Sequence, residues 1–372
     1  MKVLLTGGGT AGHVNPALAI ADIFRQNSKE VEILFAGTEN GMERRLVKEK
    51  GYPYYPISVR GFSRSLHPKN LYAMYLAITS PQKAKKILRE LSPSLVVGTG
   101  GYVSWPMLHA ASRMGIPTAI HESNAIPGLT VRRLAGEVDL VLLNFRGAAE
   151  KLRKAKKLLV VGNPLRSGFS CHSRKEAKEK LGIPEDAKLV LSFGGSLGAD
   201  SINRAVLSLW ESYTLRKPNV YHIHGTGQRL FSQFSEEAVR RGPLPPRIRI
   251  LPYLTDMPTL MNAADLIISR SGAITLSELS RAHRAALLIP SPHVAEDHQT
   301  KNAEAMEKEG AAILLRETDI TAEAIRQAVS HVIEHADTQA RMEEAAARCD
   351  VPDANQKIYR ALLSLIEKTA TP

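Results

Sequence analysis

Glu278 is the carboxylate with the most informative neighbours in the 372-residue chain. A short β-type run, Leu266 to Ile268, breaks at Ser271 and Gly272, restarts with helical spacing from Ala273 through Ala282, and meets a second apolar run at Ala285 to Ile289. This is a βαβ unit. The N–H groups opening its helix favour an anion by about 0.3–1 kcal/mol at an exposed site. Glu278 sits roughly one and a half turns in, at about 3.6 residues per turn. A carboxylate there opposes phosphate but can accept two ribose hydroxyls. Beyond Pro290 and Pro292 come Glu296, Asp297, His298, Gln299 and Asn302, the short-range donors and acceptors that holding a sugar requires. A Ser-Gly turn can be only a helix cap, and Glu278 only a solvated helix residue. The order of turn, carboxylate, proline break and amide cluster within one unit favours a nucleotide-sugar site.

Three glycine loops each follow an apolar strand and open a helix: KVLLTGGGTAGHVNP, SLVVGTGGYVSWP and KLVLSFGGSLGADS. Gly7, Gly9 and Gly12 of the first satisfy GxGxxG, and Glu39 stands roughly where a dinucleotide site keeps its ribose carboxylate. His13, Asn15 and Pro16, however, occupy a helix entry that a dinucleotide fold fills with small apolar residues. The second loop, Gly98, Gly100, Gly101 and Tyr102, can open onto the same place as Gly9, Thr10, Gly12 and His13. Two such loops in one half suit an acceptor's diphosphate. The third, Gly194, Gly195, Ser196, Leu197 and Gly198, can hold a nucleotide diphosphate through backbone N–H groups and the Ser196 hydroxyl. All of these glycines could instead serve only tight strand-to-helix turns.

SRSGAITLSEL followed by HQTKNA, the loops GGGTAGHVNPALA and GTGGYVSWP, and the GNP-x-R run holding Asn163 and Arg166 together resemble the MurG family. The match extends over nearly the whole chain; Cys171 to Lys188 and Tyr213 to Pro246 carry nothing diagnostic. The resemblance implies the GT-B fold, with two doubly wound Rossmann-like α/β domains facing across a cleft. It also implies inverting transfer of N-acetylglucosamine from UDP-N-acetylglucosamine to the muramyl-pentapeptide diphospho-undecaprenol lipid of peptidoglycan synthesis, giving a β-1,4 product. The implied donor residues are Thr10, Ala11, Gly12, Asn124, Arg166, Ser196, Leu254 (through its backbone), Ala273, Thr275, Glu278 and Gln299. No DxD-type pair ends a strand, so no metal cofactor is expected. The implied partners are the UDP-sugar, the lipid-linked acceptor, an anionic membrane surface and other cell-wall synthesis proteins, with no nucleic acid.

Such a transfer needs a held leaving group, a placed acceptor hydroxyl and a proton acceptor. Helix N-termini, Ser196 and Arg166 can supply the first. For the proton there are two candidates, His13 in the first loop and the HESN run His121 to Asn124, in which Glu122 is the rival base. His13 is favoured, because a helix N-terminus keeps an imidazole neutral; Asn124 then binds sugar or orients the acceptor. Either His13 or His121 could instead be structural. Three other readings stand beside this one: a UDP-N-acetylglucosamine 2-epimerase, a dinucleotide oxidoreductase built on the first loop, and a non-catalytic sugar-nucleotide sensor.

The elements that must position these residues alternate strand and helix in two series, with further strands expected at Ile33 to Phe35, Thr118 to Ile120, Leu140 to Leu143, Leu158 to Val161, Tyr221 to His224 and Arg249 to Leu251. The expected division is 1–163 and 164–350, with an amphipathic tail helix in 351–372 that, by the resemblance, returns to the first domain. Length and 44% apolar residues allow two cores. Cys171 and Cys349 have no partner motif, and MKVLL starts a strand with no signal peptide, which suggests a reduced cytosolic protein. No window reaches the roughly 18–20 apolar residues of a spanning helix.

Charge is uneven: 23 Lys or Arg against 11 Asp or Glu in 1–163, and 26 against 26 thereafter. Lys50 through Arg89 contains eight basic residues and no acidic one. An acidic partner should therefore meet the first half. Leu71 to Ile78, with Leu71, Tyr72 and Tyr75, followed by Lys83, Lys85, Lys86 and Arg89, fits reversible binding to the cytoplasmic face of a membrane, as a peripheral protein. An ordinary core helix with solvated lysines is the alternative.

Overall fold

The computed structural model describes residues 1–61, 69–165, 169, 173–195 and 197–370. The chain forms two compact units, Met1–Arg166 with Val351–Pro372, and Ser167–Asp350. In the first, strands β1 (Lys2–Thr6), β2 (Glu32–Gly37), β3 (Tyr54–Pro56), β4 (Leu95–Gly98), β5 (Thr118–Glu122), β6 (Leu140–Leu143) and β7 (Leu158–Val160) alternate with helices α1 (Ala11–Asn27), α2 (Met42–Glu49), α3 (Lys69–Leu91), α4 (Ser104–Arg113) and α5 (Leu129–Leu134). The second carries α6 (Arg174–Lys180), β8 (Lys188–Phe193), α7 (Asp200–Ser212), β9 (Val220–Gly225), α8 (Phe231–Arg240), β10 (Ile248–Leu251), α9 (Met257–Ala263), β11 (Leu266–Ser269), α10 (Ala273–Ala282), β12 (Ala286–Leu288), α11 (His298–Lys308), β13 (Ala312–Leu314), α12 (Ala322–Ile333) and α13 (Ala336–Cys349). The last helix is α14 (Ala354–Ala370).

Each unit is built on one parallel sheet, in the orders β3-β2-β1-β4-β5-β6-β7 and β10-β9-β8-β11-β12-β13. Successive residues such as Val3, Leu4 and Leu5 are all apolar because helices cover both faces. Val3 and Leu5 pack with Ile20 and Phe24 of α1, whereas Leu4 turns to Leu88 and Met107 on the other face. In both sheets the order reverses once, between β1 and β4 and between β8 and β11. A doubly wound sheet opens a crevice beyond the carboxyl ends of the strands at that reversal. The first and second glycine loops follow β1 and β4, and the third loop and the Ser271–Gly272 turn follow β8 and β11. The topology thus collects four loops into two pairs.

Helix α14 lies in the first unit, where Ile358 and Leu362 are buried in the cluster that holds Phe24. The Tyr359 ring meets Phe24 edge-on at 5.5 Å and 72°. Asn355 accepts from the Leu165 N–H at 3.0 Å and donates to its carbonyl at 2.9 Å, so one side chain reads both backbone groups. The three-residue strands β3 and β13 were not expected. Each borders its sheet, and a segment as short as Tyr-Tyr-Pro shows no period by which a strand is recognised.

Candidate active site

Around β1 and β4 the two glycine loops interlock on His13. Thr10 precedes α1, and its carbonyl accepts from the N–H groups of His13 and Val14 at 3.1 and 3.2 Å. The half-buried imidazole has Nδ1 3.1 Å from the Thr10 hydroxyl. The second loop presses on the ring: a Cβ at Gly100 would stand 2.9 Å from His13 Cδ2, and one at Gly101 2.2 Å from the Gly8 carbonyl oxygen. Both glycines have positive φ, 96° and 75°, so no other residue fits there without strain. Thr99 Oγ1 donates to the His13 carbonyl at 2.7 Å, and the single hydrogen of the buried Ser104 hydroxyl is shared between the carbonyls of Gly100 at 2.7 Å and Thr6 at 3.0 Å. Tyr102 lies against Gly9, and burial followed by the nearby Glu43 raises its phenol pKa. Thr10, Ala11 and Gly12 are exposed.

One residue that the sequence did not single out organises this site from below. Glu43, 1% exposed, accepts from the N–H groups of Gly9 at 3.3 Å and Thr38 at 3.1 Å, and from the Thr38 hydroxyl. Hypothetical Cβ atoms at Gly8, Gly37 and Gly41 would all fall within 3 Å of its side chain. The Gly9 N–H is therefore committed to a carboxylate within the protein, and Gly9, at φ 83°, contributes its conformation to the loop. Nothing in the spacing GMERRL marks Glu43, since α2 reads as a solvated helix. Glu39, the dinucleotide-type carboxylate, is instead 67% exposed and 3.9 Å from Arg44.

At the end of β5 the HESN run divides its work. His121 is fully buried, with Nε2 2.9 Å from the Gly162 carbonyl, and burial lowers its pKa to about 4. It is a structural residue, out of reach of an acceptor. Glu122 Oε1 accepts from the Asn124 backbone and side-chain N–H groups at 2.9 and 3.0 Å, while Oε2 accepts from the Gly128 N–H at 2.9 Å. A proton on this carboxylate would disrupt those bonds. The geometry thus gives Glu122 the task of shaping the 123–128 turn and presenting Asn124, and disfavours it as the base.

In the second unit the donor segment closes on itself. Gly272 precedes α10, and Glu278 is buried at 8% exposure, not solvated. Ala273 and Thr275 are half-buried in the first turn. The Ser271 hydroxyl donates to the Gln299 carbonyl at 2.7 Å, and Asn302 Nδ2 donates to the Ser271 carbonyl at 3.2 Å. Gln299 Oε1 accepts from the Ser291 N–H at 2.8 Å, so the oxygen end of its carboxamide is committed within the protein. Glu296 and Asp297, just before α11, have φ of 53° and 54°. Two successive non-glycine residues in this region cost about 1–3 kcal/mol each, the kind of strain that gathers at ligand sites. Arg270, unremarked in the sequence, ties the turn to the third loop's helix: it donates to Ser201 Oγ at 2.9 Å, to the Ile289 carbonyl at 3.0 Å and to Glu317 at 2.6 Å. In the third loop, the Gly198 N–H donates to the Gly195 carbonyl at 3.0 Å, and Gly195 and Gly198 have φ of 92° and 81°. Leu254 is 6% exposed, with its side chain against Gly225. Ser196 and Arg166 lie outside the described residues.

Helix α3 turns two faces in opposite directions. Ala73, Leu76, Ala84 and Leu88 are buried, whereas Leu71, Met74, Tyr75 and Ile78 are 68, 51, 60 and 70% exposed. Their spacing of three and four residues places them on one stripe, which Lys85, Lys86 and Arg89 continue; Lys83 lies off it and is 3.3 Å from Ser58 Oγ. The core-helix alternative therefore holds for half of this helix only. The Tyr72 side chain lies outside the described residues. Among the described residues no helix is long and apolar enough to cross a membrane.

Three histidines give the fold a predictable response to acid. His121, His222 and His224 are fully buried; burial lowers His121 to about 4 and His224 to about 3, and burial with His224 nearby holds His222 well below its usual value. Unfolded imidazoles titrate near about 6.5, so between that pH and the folded values only the unfolded chain gains protons. Stability is then fully present above about pH 6.5 and falls as pH decreases, by up to about 1.4 kcal/mol per pH unit for each histidine. Calorimetric melting points should drop steadily from pH 7 to pH 5; a flat profile would contradict neutral burial.

Two parallel Rossmann-like sheets, each with paired loops at its reversal, define the two-domain GT-B fold class. The chain matches the glycosyltransferase family 28 N-terminal domain over residues 3–142 and the C-terminal domain over residues 189–358. A relative from Acetivibrio thermocellus, 39% identical over 371 residues and covering 100% of both chains, is named UDP-N-acetylglucosamine--N-acetylmuramyl-(pentapeptide) pyrophosphoryl-undecaprenol N-acetylglucosamine transferase. The crystal structure of Acinetobacter baumannii MurG has a TM-score of 0.79 at 28% identity, over 98% of this chain and 99% of that one. The chain belongs to glycosyltransferase family 28 and, within it, to the MurG family. A Listeria monocytogenes protein assigned as a UDP-N-acetylglucosamine 2-epimerase shares the fold, with a TM-score of 0.67 over 100% of this chain and 98% of that one, but only 16% identity. Fold alone therefore admits the epimerase, and the family decides for the transferase.

Proposed function

We propose that the chain transfers N-acetylglucosamine from UDP-N-acetylglucosamine to a muramyl-pentapeptide diphospho-undecaprenol lipid with inversion, at the cytoplasmic face of a membrane. The observation that carries this is the donor turn: Ser271 and Gly272 open α10, Glu278 is buried on that helix, and Gln299 and Asn302 are cross-bonded to the turn. In this reading the third loop and the N-termini of α7 and α10 hold the diphosphate, Glu278 accepts the ribose hydroxyls, and the Leu254 backbone meets uracil. The Gln299 carboxamide donates to the sugar. Thr10, Gly12, Gly100, Gly101 and Tyr102 shape the acceptor site in the first unit, with Asn124 presented by Glu122.

The acceptor oxygen forms a bond to the anomeric carbon as the bond from that carbon to the UDP oxygen breaks. Helix N-termini offset the charge on departing UDP. The acceptor's proton passes to His13 Nε2. That role needs the tautomer in which Nδ1–H donates to the Thr10 hydroxyl, a bond that would also steady the imidazolium formed. The exposed stripe of α3, apolar at Leu71, Met74, Tyr75 and Ile78 and basic at Lys85, Lys86 and Arg89, lies on the lipid surface.

One experiment tests both parts. Labelled N-acetylglucosamine should pass from the UDP-sugar to a short-chain acceptor lipid carried in anionic vesicles, and a control without acceptor should show neither incorporation nor epimerised sugar. Epimerisation without acceptor would overturn the transferase reading. Each basic residue near an anionic surface contributes about 1 kcal/mol. The triple variant Lys85→Glu, Lys86→Glu, Arg89→Glu should therefore bind these vesicles about 10²-fold more weakly while keeping activity on a detergent-dispersed acceptor. Undiminished vesicle binding would refute the membrane face.

A further inference from the structure

Beneath the third loop runs a chain of buried polar side chains that the reaction itself does not use. Trp210 Nε1–H donates to His222 Nδ1 at 2.9 Å; Ser192 Oγ is 2.7 Å from both His222 Nε2 and His224 Nδ1; His224 Nε2 is 3.1 Å from Asn203 Oδ1; and Asn203 Nδ2 donates to the Thr226 carbonyl at 3.3 Å. Every direction in this chain is determined. An indole can only donate, so His222 Nδ1 accepts and its Nε2–H donates to Ser192. At the other end Asn203 Nδ2 is committed to the Thr226 carbonyl and turns Oδ1 to His224, so His224 Nε2–H donates to Asn203 and its bare Nδ1 accepts from the Ser192 hydroxyl. The 3.3 Å approach of His224 Nδ1 to the Ser192 carbonyl is then a close contact and not a hydrogen bond. Reversing the Asn203 amide would set two oxygens against each other at Thr226. Burial keeps both imidazoles neutral, as this order requires.

The chain ends where the third loop rests. A Cβ at Gly198 would come 2.2 Å from the Thr226 carbonyl oxygen, and one at Gly227 2.3 Å from the Gly198 N and Cα atoms. The Thr226–Gly227 backbone is thus the floor of the loop. Asn203 and Trp210 both belong to α7, and they bond to His224 and His222 of β9 from opposite parts of that helix. The surrounding core, with Ile202, Val206, Leu209 and Phe234, is apolar and supplies no directional bonds of its own. Directional bonds in a dry core select one register, because any other leaves buried donors unpaired.

We infer that His224, acting through Asn203, is a positioning residue for nucleotide-diphosphate binding: it fixes the register of α7 and the floor on which Gly198 lies. This rests on the reading of the third loop as the diphosphate site. Two conservative variants of the full chain separate the link from bulk packing. Glutamine can place its amide nitrogen where His224 Nε2 lies and keep the bond to Asn203; asparagine reaches only the Nδ1 position and loses it.

The experiment is UDP titration by calorimetry, with KM for UDP-N-acetylglucosamine and for the acceptor. His224→Asn should weaken UDP binding and raise the donor KM about tenfold, with kcat and the acceptor KM within about twofold. His224→Gln should stay within about threefold of the parent throughout. Parent-like UDP affinity in His224→Asn, or equal losses in both variants, would overturn the inference. Should His224→Asn fail to fold, Asn203→Ser, which removes the contact to Thr226, takes its place with the same expected tenfold loss; parent-like affinity there would overturn it equally. If the parent chain itself does not bind UDP, it is the donor-site reading that has failed.

Discussion

His13→Ala should lower turnover by about 10²–10⁴-fold, the range expected when a positioned general base is removed. The donor KM should stay near its parent value, because the proposed donor contacts of Glu278 and Gln299 lie in the other unit. The imidazole is also wedged against Gly100 and Gly101, so alanine alone could loosen the loops. His13→Asn is the control. It can keep a polar atom near Thr10 but cannot take up a proton, so its turnover should fall as far as alanine's if proton transfer is at stake. A packing role predicts recovery in asparagine. The acid limb of the kcat profile should vanish in both variants. Unchanged turnover in His13→Ala would sink the assignment and return attention to Glu122, whose present hydrogen bonds to Asn124 and Gly128 would then have to rearrange.

The second large effect belongs to Glu278. A hydrogen bond to a charged group contributes about 1.5–3 kcal/mol, so Glu278→Ala should weaken UDP and UDP-sugar binding by about 10–10²-fold. Alanine is a better helix former than glutamate, and α10 should persist with a melting point close to the parent's. Binding of 2′-deoxy-UDP isolates the contact. The missing hydroxyl should cost affinity in the parent chain and almost none in Glu278→Ala. An equal penalty in both proteins would show that the carboxylate does not meet the ribose.

The amino-acid sequence by itself determined the class of fold, the two series of strands and the loops that matter, because these depend on local pattern. Apolar strands covered on both faces, glycines at strand ends and the helical spacing after Ser271 and Gly272 are all short-range features. It also singled out Glu278 as a candidate carboxylate through its place in one βαβ unit. Tertiary structure decided what each polar group is committed to. His121 and His13 each stand near a strand end or helix start, yet one is sealed against the Gly162 carbonyl and the other is half-buried between two loops. Glu122, the rival base, has its oxygens bound to the turn that follows it, and nothing near Glu43 in the sequence shows that it holds the Gly9 N–H from 34 residues away. The stripe on α3 has the same character: an apolar run shows that a helix buries something, but only packing reveals that Leu71 and Ile78 are left outside. Periodicity is written along the chain, whereas burial and hydrogen-bond partners depend on residues brought together from distant parts of it.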